Sequence, residues 1–253
     1  MIASNALADE RAFTYVYETS VLPQGQFEFE QWLTNENGKE DGDYSQWDLR
    51  SEIEYGVTDF YSSAFYLNWE ATRSEGTGDE DSSDTKFKGI SWENVYQIAN
   101  PNLDPVGLAI YGEVTTDGID YELEGKLLLS KPVGKFLLAT NAIYEAEWER
   151  EDNKTEREAT LEFTAGASYK LSPQWSVGIE ARNKSAYPGG LNLSSQEFQS
   201  WSVGPNIHYG TPKWWATFTI LPQVWGNGDG SSGGRQLEHE ESVEVRLLVG
   251  VLL

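Results

Sequence analysis

Residues 119–148, IDYELEGKLLLSKPVGKFLLATNAIYEAEW, constrain the fold most strongly. They read as two long strands joined by the turn Lys131-Pro132-Val133-Gly134. On the first strand Ile119, Tyr121, Leu123, Gly125, Leu127 and Leu129 share one face, and Asp120, Glu122, Glu124, Lys126 and Leu128 the other. On the second, Phe136, Leu138, Thr140, Ala142, Tyr144, Ala146 and Trp148 alternate with Asn141, Ile143, Glu145, Glu147 and Glu149. A period of two is the signature of a β-strand. Each strand runs for about a dozen residues, whereas strands in water-soluble sheets average about 5–6 and a tilted bilayer-spanning strand needs about 9–11. One apolar face and one carboxylate-bearing face at that length describe a hairpin with lipid on one side and water on the other.

No apolar run approaches the roughly 18 residues of a membrane helix. That test is blind to barrels, in which polar lumen residues alternate with lipid-facing ones. Aromatic residues make up 13% of the chain, including 10 Trp and 13 Tyr, a load expected where rings form belts at two membrane interfaces. The competing reading is a water-soluble β-sandwich or sugar-binding jelly roll, and strand length weighs against it. The chain has no Cys, which excludes disulfides, thiol catalysis and thiolate metal sites. A net charge of -23 argues against nucleic acid as a partner and favours attraction of cations.

The same alternation predicts an all-β fold, a transmembrane antiparallel up-and-down β-barrel of about twelve strands, spanning residues 26–253. The strands are expected at 26–34, 45–55, 60–71, 86–98, 106–115, 119–130, 135–149, 155–170, 175–184, 196–209, 213–225 and 236–251. Their connections alternate between short turns rich in Gly or Pro (56–59, 100–105, 131–134, 172–174, 210–212) and mostly longer polar loops (35–43, 72–85, 151–154, 185–195, 226–235). Residues 116–118 are a short exception among the loops. Short periplasmic turns and longer outer loops are the pattern of outer-membrane barrels. Aromatic belts are expected from Tyr55, Phe60, Tyr61, Tyr96, Phe136, Tyr169, Trp175, Tyr209, Trp214 and Trp215 at the turn end. Trp32, Trp47, Trp69, Tyr121, Trp148 and Trp225 supply the loop end.

Residues 1–8, with Ala6-Leu7-Ala8, read as the end of a secretory signal or an added leader. Residues 9–25 read as a latch or lumen segment, because Leu22-Pro23-Gln24-Gly25 breaks the alternation of Phe13, Tyr15 and Tyr17. The run from Tyr15 to Gly25, followed by Phe27-Glu28-Phe29-Glu30-Gln31-Trp32, resembles the N-terminal end of uncharacterised bacterial outer-membrane proteins. In strand number and turn–loop alternation the chain also resembles the narrow twelve-stranded porins that pass acidic sugars. The resemblance implies a barrel in the bacterial outer membrane. Those porins have a basic lumen, and the one read here is acidic.

The expected pore-lining residues are Asp120, Glu122, Glu124, Glu145, Glu147, Glu149, Asp48, Arg50, Glu52, Glu162, Arg182 and Arg246. Further inward acids are Glu28, Glu30, Glu54, Glu70, Glu93, Glu113, Glu158, Glu180 and Glu244, against inward bases Arg50, Lys126, Lys170, Arg182 and Arg246. A charged ring in a wet pore selects for the opposite sign. The reading is therefore a porin-like channel for passive diffusion of small cationic or neutral solutes. It would be monomeric and in contact with outer-membrane lipid and lipopolysaccharide, with no cofactor, no metal and no catalytic residues. One alternative is a non-conducting structural or partner-docking barrel. Another is a lipid- or glycan-modifying enzyme, for which the only histidines are His208, on the same face as Ser202 and Asn206, and His239, beside Glu238, Glu240 and Glu241.

Overall fold

A computed structural model of the chain describes residues 11–39, 43–76, 82–151, 154–188, 193–229 and 231–253. The expected signal remnant at 1–8, and residues 9–10 of the expected latch, lie outside them, as do the centres of several long loops.

The strands are β1 (Phe27–Asn37), β2 (Asp43–Thr58), β3 (Tyr61–Glu75), β4 (Ser82–Ala99), β5 (Gly107–Thr116), β6 (Tyr121–Val133) and β7 (Phe136–Glu151). They continue with β8 (Lys154–Lys170), β9 (Trp175–Pro188), β10 (Phe198–Gly210), β11 (Trp214–Gly228), two short strands β12 (Ser231–Ser232) and β13 (Arg235–Gln236), and β14 (Val243–Leu252). Twelve of them close into one antiparallel barrel, each pairing with the next barrel strand along the chain, and β1 closes the ring against β14 from Glu28↔Leu252 to Asn37↔Val243. The remaining two, β12 and β13, pair only with each other in the loop after β11.

Period-two alternation turns this barrel inside out relative to a water-soluble protein. Phe65 is 59% exposed on the outer wall, while Glu28 and Glu180 are 0% exposed inside. Outward rings pair across strands at the turn end: Phe27 with Tyr55 at 4.5 Å, Phe136 with Tyr169 at 4.9 Å and Trp175 with Tyr209 at 4.7 Å. Trp69 meets Phe87 at 5.1 Å toward the loop end. Such cross-strand aromatic pairs contribute roughly 0.2–1 kcal/mol each and pin the register. Gly134, at φ 63°, makes the β6–β7 turn possible without a Cβ penalty.

Three expectations are corrected. The last barrel strand starts at Val243 rather than at residue 236, because the chain first makes the β12–β13 hairpin and residues 237–242 follow it without strand structure, with Glu240 buried beside Lys184. Trp32 and Trp215 are not belt residues: they are 6% and 0% exposed and point inward. Trp32 Nε1 donates to Glu30 Oε2 at 2.8 Å, and Trp215 Nε1 donates to Glu28 Oε1. An indole N–H needs an acceptor, and these two find a carboxylate in the lumen that lipid chains do not offer.

Residues 11–25 carry no regular structure and run inside the barrel. Phe13, Thr14, Val16, Thr19 and Leu22 are all 0% exposed. The segment leaves the lumen at the turn end, where Gly25 N donates to Gly56 O at 2.8 Å before β1 begins.

Candidate functional site

A chain segment without secondary structure must satisfy its backbone polar groups some other way. Here the barrel's inward side chains do it. Glu180 of β9 accepts the amides of Thr14, Tyr15 and Val16 at 3.0, 2.7 and 3.1 Å. The same carboxylate accepts from Asn206 Nδ2 at 2.9 Å and Thr219 Oγ1 at 2.7 Å. Asn141 takes both polar groups of Tyr17, accepting its N–H at 2.7 Å and donating to its carbonyl at 2.9 Å. Gln97 donates to the Thr19 carbonyl at 2.6 Å, and Thr217 donates to that of Arg11. Phe13 lies so close to the wall that a Cβ at Gly166 would stand 2.6 Å from its ring.

The segment divides the lumen. On its loop side lies a cavity of about 400 Å³, floored by Tyr15, Tyr17 and Trp32. Eight of the twelve expected pore-lining residues border it: Asp48, Arg50, Glu122, Glu124, Glu145, Glu162, Arg182 and Arg246. Asp120, Glu147 and Glu149 border a second space of about 560 Å³ nearer the β5–β6 connection, shared with Glu122. Glu52 is on the other side of the floor, in a gap of about 30 Å³ with Arg11, Glu30, Glu54 and Glu93. A further cavity of about 350 Å³ opens at the turn end, bordered by Ala12, Ser20, Lys170 and His208 among others. The twelve therefore sit at three depths rather than in one ring.

Charge is laid out unevenly. Register sets carboxylates opposite one another at Glu93↔Glu113, Glu113↔Glu124, Glu124↔Glu145, Glu122↔Glu147 and Glu147↔Glu158. Each such pair costs about 0.2–1 kcal/mol unless neutralised. Neutralisation is partial. Lys126 Nζ is 2.7 Å from Glu124, and the Tyr66 and Tyr111 hydroxyls donate to Glu113. Oxygens of Glu122, Glu145 and Glu147 all lie within 4.8 Å of one another, the one grouping among the described residues with the spacing to hold a metal ion.

Bases of β9 meet acids of β14 and of the segment before it. Arg182 grips Glu244 with both terminal nitrogens, and Lys184 Nζ sits 3.0 Å from Glu240. The cations also lie over inward-facing rings. Arg246 lies 4.0 Å from the Tyr15 ring centre, Arg50 4.0 Å from that of Tyr66, and Lys126 3.8 Å from that of Tyr17. Arg11, Lys88 and Lys184 are inward bases beyond those expected from the alternation, and Lys170, expected inward, sits exposed at the turn rim. Period two cannot find Arg11, because it precedes the first strand. Lys184 lay at the end of an expected strand that in fact runs on to Pro188.

The two histidines take different partners. His208 Nδ1 bonds Thr217 Oγ1 at 2.8 Å, and Asn206 bonds Glu180 and the Ala12 carbonyl. Both thus take part in seating the N-terminal segment. His239 stacks on Phe198 at 5.2 Å.

A family model described as a family of unknown function, DUF6662, matches residues 5–253. No curated protein sequence matches the chain. The crystal structure of the COG4313 outer membrane channel from Pseudomonas putida F1 superposes with a TM-score of 0.66, covering 95% of this chain and 100% of that one at 11% identity. A KdgM porin superposes at 0.50, covering 88% and 98% at 10% identity. At these identities the likeness is one of fold: a closed twelve-stranded antiparallel barrel.

Proposed function

We propose that this chain, which belongs to the DUF6662 family, is a bacterial outer-membrane channel for passive diffusion of small cationic or neutral solutes. One observation carries the reading: an apolar outer wall encloses a polar lumen with cavities on both the loop and the turn side of residues 11–25. The carboxylate wall of β5–β8 supplies the cation preference. Asp120, Glu122, Glu147 and Glu149 form its outer vestibule, and Glu124, Glu145 and Glu162 its inner part. In this reading the twelve residues named from sequence line the conduction path, the barrel is monomeric, and its outer wall contacts lipid and lipopolysaccharide.

A specific observation favours a second reading. The segment's backbone is bonded to the barrel wall at many points, as an immovable plug would be. The barrel would then be a non-conducting scaffold or docking surface. Planar-bilayer recording in a KCl gradient separates the two, with the intact protein and with residues 9–25 deleted. Steps in the intact protein with a cation-sign reversal potential support the channel. Steps only after deletion make the segment a closed gate. Absence of steps in both sinks the channel, and an anion-sign reversal potential sinks the cation preference.

A further inference from the structure

Arg11 is held in an unusual way. Its Cζ lies 3.9 Å from the Tyr17 ring centre and 4.5 Å from that of Trp32. The residue is only 7% exposed, yet its Nε and Nη2 have no hydrogen-bond partner. A gap of about 30 Å³ separates it from Glu30, Glu52, Glu54 and Glu93, all buried. Glu52 Oε2 on the far side of that gap is also without a partner. A buried arginine normally docks its rigid fork onto a carboxylate. This one is held by two ring faces and by the field of carboxylates that stand off from it. Flat ring faces favour a flat, delocalised cation, and a diffuse negative field supplies the charge without requiring bonds to its fork. Tyr17 borders both this gap and the 400 Å³ cavity, and Trp32 borders the cavity, so the two rings stand between the position and the loop-side space.

We propose that the pocket formed by Tyr17, Trp32 and the Glu30, Glu52 and Glu93 carboxylates is a binding site for small monovalent organic cations of the guanidinium class. In the resting barrel the chain's own Arg11 occupies it, as a tethered competitor. The inference deepens the channel reading and rests on it for how solute arrives, but binding itself is testable without conduction.

The probe is methylguanidinium, with methylurea as the neutral isostere, titrated calorimetrically against refolded protein in detergent. Arg11→Ala is expected to bind methylguanidinium saturably, about tenfold more tightly than the native protein, in which Arg11 competes. Adding Glu52→Gln to Arg11→Ala should weaken that binding, and methylurea should not bind. Equal binding by native protein and variant, no binding by either, or methylurea binding as well as the cation would each overturn the proposal. If Arg11→Ala does not refold, Arg11→Met, which keeps most of the volume, is judged by the same criteria. Barrels that never conduct but still bind methylguanidinium only after loss of Arg11 would refute the channel and leave the site standing.

Discussion

Glu180 Oε2 accepts the backbone amide of Tyr15 at 2.7 Å, joining residues 165 positions apart in the chain. The neighbouring amides of Thr14 and Val16 converge on the same carboxylate. Removing it leaves buried donors unsatisfied, at about 1–3 kcal/mol for such a group. Glu180→Ala should therefore loosen residues 11–25 while the barrel persists. Trypsin has a cleavage site after Arg11, and mass analysis of the folded protein should show that cut in the variant and not in the native chain. Unchanged protection would mean that Glu180 is not the tether.

Gly166 tests the seat of the segment from the wall side. A valine there places a methyl-bearing carbon within 2.6 Å of the Phe13 ring, and overpacking of this kind costs about 1–3 kcal/mol. At Gly112 nothing stands within 4 Å of an added Cβ. Gly166→Val should lower the urea midpoint or expose the segment to protease, and Gly112→Ala should do neither. Equal behaviour of the two variants would argue that the segment is not packed on β8.

Glu122 and Glu147 face each other across β6 and β7. Converting both to glutamine removes a like-charge pair that costs about 0.2–1 kcal/mol, so stability should hold or rise slightly. Heat-modifiable migration should be unchanged. The reversal potential in a KCl gradient should move toward zero, because two charges leave the vestibule. A reversal potential equal to that of the native protein would remove these residues from the conduction path.

The rim carries a pH dependence. Burial alone would raise the Glu240 carboxyl, but the Lys184 ammonium at 3.0 Å and the Arg182 guanidinium at 3.8 Å hold it below the ordinary carboxylate value. A depressed carboxyl stabilises the fold fully above its unfolded value, and that contribution is lost as the pH falls through the folded one. Urea unfolding should therefore show the native protein losing stability on acidification below about pH 4, with Glu240→Gln losing less over the same interval. Parallel curves for the two proteins would show that Glu240 contributes nothing to the loss.

What the sequence determined by itself is the barrel: twelve barrel strands, their faces, and the alternation of short turns with long loops. These are local properties. Each follows from period two and from turn chemistry within one hairpin, which is why Glu122 and Glu147 could be placed on the carboxylate-bearing face from the 119–148 stretch alone. Closure of β1 on β14, the seating of residues 11–25 on Glu180 and Asn141, and the meeting of Trp215 with Glu28 were decided only by the tertiary structure. The depth at which each carboxylate stands, and whether Lys126, Arg50 or Arg11 lies near it, was decided there too. In each case the partners lie on different strands or on a segment with no period, so no local pattern encodes their meeting. The interior of a closed barrel is the one place where all twelve strands face each other, and its chemistry exists only once the ring is shut.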